Sequence, residues 1–154
     1  MPNTTQLHLA ILFARLVLGF YFVYAGFAKV RGELTQGFGS FYNSAFYQSM
    51  QPGWMPDVFA AVYGYALPWV ELTIGLLLML GLFGTIAAVL VALTLISIIF
   101  ALLGAGQLFA FQSAYDSPGP YHANLVFFAL ALLLTIGGPG RYSVDQHWRR
   151  KKST

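Results

Sequence analysis

Four apolar runs constrain this chain more than anything else in it: roughly Leu7–Ala28, Val58–Leu80, Thr85–Gln107 and Tyr121–Gly138. A bilayer takes about 20 helical residues to cross, so each run reads as a membrane span. Composition agrees. Hydrophobic residues make up 58% of the chain and charged ones 8%, where a soluble domain has roughly a quarter of its residues charged. The chain therefore reads as an all-α, four-transmembrane-helix bundle, a single integral-membrane domain over residues 1–154. The first run is too long for a signal-peptide core and no lysine or arginine precedes it, so it is expected to stay as a span.

The connections set the topology. "GLFG" at Gly81–Gly84 is so short that the second and third spans must form an antiparallel hairpin. Four spans put both termini on one side. The tail over 139–154 carries Arg141, Arg149, Arg150, Lys151 and Lys152, against Lys29 and Arg31 on the other side. The positive-inside rule then places both termini in the cytoplasm of a bacterial-type inner (plasma) membrane. The net charge of +3 comes largely from this tail. It speaks to topology and to contact with membrane lipids, not to nucleic-acid binding.

Charges inside the spans carry the chemistry. Arg15, Gly19, Phe22, Gly26 and Lys29 are spaced by steps of four, three, four and three, so they share one stripe of the first helix. Counted from the ends of the apolar runs, Arg15 lies about eight residues deep and Glu71 about nine from the same face, on the order of 12–14 Å each. A buried Arg15–Glu71 ion pair is the expected arrangement, because an unpaired charge at that depth is costly. Structural glue is the economical role for it; a head-group site or proton relay is the sharper one. Pro68 frees the carbonyl of Gly64 on the face of Glu71.

The outer loop over 29–57 carries Phe38, Phe41, Tyr42, Phe46, Tyr47 and Trp54 in an almost uncharged setting. Their spacing from Gly37 to Met50 predicts a short interfacial helix. Such a lid would close a bundle mouth where Lys29, Arg31, Glu33, Asp57, Gln107, Asp116 and His122 gather. An aromatic belt accounts for most of the loop. The sharper reading is a hydrophobic or quinone-type ligand under the lid, with Lys29, Phe41, Tyr42, Trp54, Gln107 and His122 as its contacts. At the other end, Gly137, Gly138 and Pro139 stop the last span, and Arg141, Trp148 and the run Arg149, Arg150, Lys151, Lys152 read as a membrane anchor.

Absences narrow the chemistry further. There is no cysteine, which removes disulfides, thiolate metal sites and CxxC redox chemistry. His8 and His122 start spans on opposite sides of the bilayer, and no metal-binding spacing is visible, so no metal site is expected.

Three segments together resemble the DoxX-like membrane proteins: "R…LG…F…G…K" in the first span, "PWVELTIGLLLMLGLFGTIAA" across the second and third, and "GPGRYSVD" after the fourth. The family pattern maps onto Arg15, Gly19, Gly26 and Lys29, onto Pro68, Glu71 and Gly75, and onto Gly138, Gly140, Arg141, Ser143 and Asp145. Where family members often have Thr-Arg at the start of the third span, this chain has Thr85 and Ile86. The resemblance, which includes the membrane subunit of a thiosulfate:quinone oxidoreductase, implies a four-helix membrane protein tied to redox physiology. Three functional classes follow, in order. The first is a non-catalytic membrane subunit of a larger redox complex, with no cofactor of its own, lining a quinone site. The second is a small-solute or proton-coupled transporter, which with four spans would have to act as a homo-oligomer. The third is a structural assembly or lipid-contact subunit.

Overall fold

The computed structural model describes residues 4–106, 123–138 and 140–152. Every regular element among them is helical: α1 (Thr4–Gln36), α2 (Ala45–Met50), α3 (Asp57–Leu80), α4 (Gly84–Gly104), α5 (Ala123–Gly137) and α6 (Val144–Lys152). α1, α3 and α4 are long and apolar enough to cross a membrane; α5 is a shorter apolar helix of 15 residues. This is a small helical membrane protein.

The helices extend differently from the apolar runs. α1 has 33 residues, about 50 Å at 1.5 Å each, well beyond ~30 Å of hydrocarbon. Its last two turns carry Lys29, Arg31 and Glu33. The short helix expected in this loop is confined to Ala45–Met50, because residues 37–44 form turns that pass through Gly37 and Gly39 at positive φ. The tail forms α6, which the basic run alone did not announce.

α1 packs antiparallel along α3, and α4 along α5. Glycines set the first contact. A Cβ on Gly26 would lie 2.3 Å from the backbone nitrogen of Leu72, and one on Gly75 would lie 2.6 Å from that of Val23, so the two helices touch backbone to backbone. Gly19 meets Met79 and Gly75 in the same way. α3 and α4 share the shortest connection yet touch less than either of those pairs.

Two apolar clusters result. Leu18, Phe22, Ile74, Leu78, Val91, Leu95 and Leu134, interleaved with Ala87, Ala88 and Ala131, fill the half of the bundle nearest the α3–α4 turn. At the other half Phe41 and Tyr47 of the lid over 37–56 pack on Leu67 of α3, with Tyr42 and Tyr63 against them. These halves are called the turn end and the lid end below.

Candidate functional site

Arg15 and Glu71 are both buried, at 2% and 3% exposure, but they do not pair with each other. Glu71 forms its ion pair with Lys29, and Arg15 Nη2 donates to the carbonyl of Tyr142 at 2.7 Å. The expected Arg15–Glu71 bridge is therefore corrected. Depth counted from the ends of apolar runs failed because α1 continues as helix past its run, while the glycine contacts fix a different register. With Gly26 opposite Leu72 and Gly19 opposite Met79, Arg15 falls beside the turn at Gly81 and Lys29 reaches Glu71. The shared stripe is correct; its two charges serve opposite ends.

At the turn end the charges meet backbone groups. A Cβ on Gly81 would lie 2.7 Å from Arg15 Nη1 and 2.8 Å from Ser143 Cβ, and Gly81 sits at φ +67°, so glycine meets both demands. Phe83 occupies the N-cap of α4 with no side-chain hydrogen bond to offer. Asp145 supplies it from the tail: its carboxylate accepts from Phe83 N at 2.9 Å and Gly84 N at 2.7 Å. A carboxylate over a helix N-terminus is stabilised by the orphan N–H groups and the helix dipole. Ser143 caps α6 by accepting from Gln146 N at 3.2 Å. The "GPGRYSVD" run thus staples the tail to α1 and to the α3–α4 turn. Arg141 and Trp148 are exposed there, and the side chains of Arg149, Arg150, Lys151 and Lys152 lie outside the described residues.

The lid end holds a cavity of about 420 Å³. Its walls are mostly apolar, from Phe22, Ala25, Phe41, Tyr47, Leu67 and Leu102, with Met50 and Met55 from the lid. Polar groups enter at a few points. Lys29 and Glu71 face it from α1 and α3, and the Lys29 ammonium also stands 5.2 Å from the centre of the Phe41 ring. Tyr63 and Ser97 share a hydrogen bond of 2.7 Å, and Tyr21 Oη reaches Asn124 Oδ1 at 3.4 Å. A concave apolar chamber with a few convergent polar groups has the form of a small-molecule site.

The lid is fixed from below. Glu33, 4% exposed, accepts from Gly39 N, from Phe41 N at 2.8 Å and from Ser40 Oγ at 3.3 Å. Those three donors satisfy a carboxylate that would otherwise be costly to bury. Tyr47 Oη donates to the carbonyl of Ala60 at 2.6 Å, and burial pushes its phenol above the ordinary tyrosine value. Tyr65 of α3 stacks against both Phe38 and Tyr42, with ring centres 5.2 and 5.0 Å apart. Gly64 lies against Tyr42 and Tyr47, so it accommodates the lid and not the α1 contact.

Of the ligand contacts expected from sequence, Lys29 and Phe41 line the cavity. Tyr42 stands behind Tyr47. Trp54 is 67% exposed and packs outside, toward Gly104. Arg31 and Asp57 are exposed and Glu33 is used by the lid, so these three do not gather at the mouth. Gln107, Asp116 and His122 lie outside the described residues. Sequence reasoning missed Tyr21, Tyr63, Ser97 and Asn124, for which the only signal was a polar atom inside an apolar helix. No group of three metal-ligating side chains is found among the described residues.

With this geometry in place, the profile of the DoxX family matches residues 10–104. The chain belongs to the DoxX family. The match takes in the Arg15–Lys29 stripe, the lid, Glu71 and the α3–α4 turn, and it ends before α5 and the "GPGRYSVD" staple. No curated protein and no solved structure is similar enough to match. For this DoxX protein the family match covers most of the lid-end cavity, and among the described residues Asn124 is the one lining residue beyond it.

Proposed function

We propose that this DoxX protein is a four-span membrane subunit that holds a quinone-class ligand in the lid-end cavity and works beside a larger redox partner. The observation that carries the reading is the apolar chamber with the Lys29–Glu71 pair in its wall. Its donors suit a quinone: the Lys29 ammonium can donate to a carbonyl oxygen, as can the Tyr21 hydroxyl in exchange for its 3.4 Å contact with Asn124, while Phe41, Leu67 and the methionines match an apolar ring. When bound, a quinone accepts two electrons and two protons. This chain's share is to orient the ring, exclude water and hold protons at Glu71, Tyr21 and Tyr63. The partner enters the reading because a chain without cysteine has no thiolates for an iron–sulfur cluster or a redox dithiol.

The topology proposed with it has α5 as the fourth span and both termini in the cytoplasm, on the strength of five basic residues after α5 against Lys29 and Arg31. A Ser153→Cys variant should resist an impermeant thiol reagent added to intact cells; labelling would reverse the orientation. The ligand is tested by purifying the chain in mild detergent and extracting it for mass spectrometry. Quinone retained by the native chain and lost from Lys29→Met/Glu71→Leu supports the reading, and equal retention by both contradicts it.

The transporter reading has one observation in its favour, an ion pair between two spans whose carboxylate can exchange a proton. Proton uptake by vesicles that carry the protein, abolished by Glu71→Gln, would favour it over the quinone reading.

A further inference from the structure

The two redox forms of a quinone-class ligand differ in what they offer a protein. A quinone oxygen only accepts hydrogen bonds, whereas a quinol oxygen accepts and also carries a proton to donate. Donors in the cavity wall therefore serve both forms, and only its open acceptors tell them apart.

The side-chain donors at the wall are Lys29, Tyr21 and Gln51. The Lys29 ammonium has three N–H groups and gives one to Glu71 Oε2. Tyr21 has its 3.4 Å contact to exchange. Gln51 Nε2 is buried beside the Tyr47 hydroxyl, which itself donates to the carbonyl of Ala60. The acceptors are more decisive. Glu71 receives Lys29 on Oε2, and no described residue donates to its Oε1; a carboxylate held in an ion pair has no proton of its own to give. Tyr63 also faces the cavity as an acceptor. Ser97 Oγ donates to the carbonyl of Thr94 at 2.7 Å, so the 2.7 Å bond it shares with Tyr63 takes the Tyr63 proton. Only lone pairs are left on Tyr63 Oη.

A quinone carbonyl placed at the Lys29–Glu71 pair accepts from the ammonium and sets its second lone pair against the bare Oε1. A hydroxyl at the same point accepts from Lys29 and donates to Oε1, which satisfies both members of the pair. Hydrogen bonds to an ionised group are the strong ones, and a buried acceptor left unmet is costly.

We propose that the lid-end cavity selects the reduced, hydroxyl-bearing form of its ligand over the oxidised form, with Glu71 Oε1 as the acceptor that discriminates and Tyr63 Oη as a second. The inference rests on the quinone-class reading given above and adds the redox form that the site prefers.

The test uses one ring in both forms, tetramethylbenzoquinone and its hydroquinone, titrated anaerobically into the purified chain in detergent, with dissociation constants from calorimetry. The native chain should bind the hydroquinone at least about tenfold tighter. Bound to the protein, the two-electron couple should then titrate about 30 mV above its value in empty micelles, an independent reading of the same preference. Glu71→Gln keeps the shape and puts a donor beside the acceptor, so it should bring the two forms to within about twofold, chiefly by weakening the hydroquinone. Tyr63→Phe leaves the ion pair in place and should lower the ratio by about threefold; it is the second variant in case the first folds poorly. Comparing ratios between chains also removes the unequal partitioning of the two forms into micelles. Native binding in which the quinone equals or exceeds the hydroquinone overturns this inference and leaves the cavity reading standing. A tenfold preference that survives both variants overturns the assignment to Glu71 and Tyr63. Failure of the native chain to bind either form overturns the cavity reading and this inference together.

Discussion

Arg15 and Lys29 lie on one stripe of α1, about 21 Å apart along its axis, and the two ends they serve are built on different terms. At the turn end Arg15 meets a backbone carbonyl, Asp145 caps a helix, and small residues close the packing around Leu18 and Phe22. At the lid end Lys29 meets Glu71 on the wall of a chamber. At the turn end Arg15 and Asp145 hydrogen-bond to backbone groups of the tail and of the α3–α4 turn. An ion pair facing a cavity still has hydrogen-bonding capacity for something else. The same residue class at the same stripe is thus a staple at one end and a candidate site at the other.

The largest effect should come from breaking the lid-end pair on one side. Glu71→Leu strands Lys29 and is expected to cost ~3–5 kcal/mol, while Lys29→Met/Glu71→Leu should recover most of that. Chemical denaturation in mixed micelles checks both. Recovery sharpens the contrast, because a pair that is dispensable for stability is free to be kept for a ligand. Arg15→Leu comes next. It removes a charge-assisted hydrogen bond from a buried site, at about 1.5–3 kcal/mol, and limited proteolysis should release the tail first. If α6 stays protected, the turn end is not stapled through Arg15. Asp145→Ala should lose about 0.5–2 kcal/mol with the α4 cap, and Asp145→Asn should keep part of it. The smallest change is expected from replacing Arg149, Arg150, Lys151 and Lys152 with glutamine. Stability should move by no more than about 0.5 kcal/mol, while binding to anionic vesicles weakens.

Much of this architecture is written in the apolar runs. The second and third spans begin within a residue of α3 and α4, and on the stripe Arg15, Gly19, Phe22 and Gly26 are buried as its spacing implies, with Lys29 half-buried at its end. Partner choice was not legible. It depends on how far α1 slides against α3, and that is set by Gly19, Gly26 and Gly75 in close approach, a property of two surfaces and not of either helix. The aromatic lid was visible as composition. Which rings face inward was not, because Gly37 and Gly39 turn the chain between α1 and α2: Phe41 is brought to the cavity and Phe38 is left outside. Asp145 stands out in sequence only as part of the tail run, with no partner attached to it. The sign of its true role lay 62 residues away, in a helix that begins with Phe83 where a capping side chain is usual.

On the proposed reading the lid-end charges hold a ligand and the turn-end charges hold the fold. The most direct measurement is quinone retained after purification, by mass spectrometry, in two folded variants: Lys29→Met/Glu71→Leu and Arg15→Met/Asp145→Asn. The first should lose its quinone with stability close to native, and the second should keep it at reduced stability. Quinone lost from the second variant and kept by the first would contradict the claim.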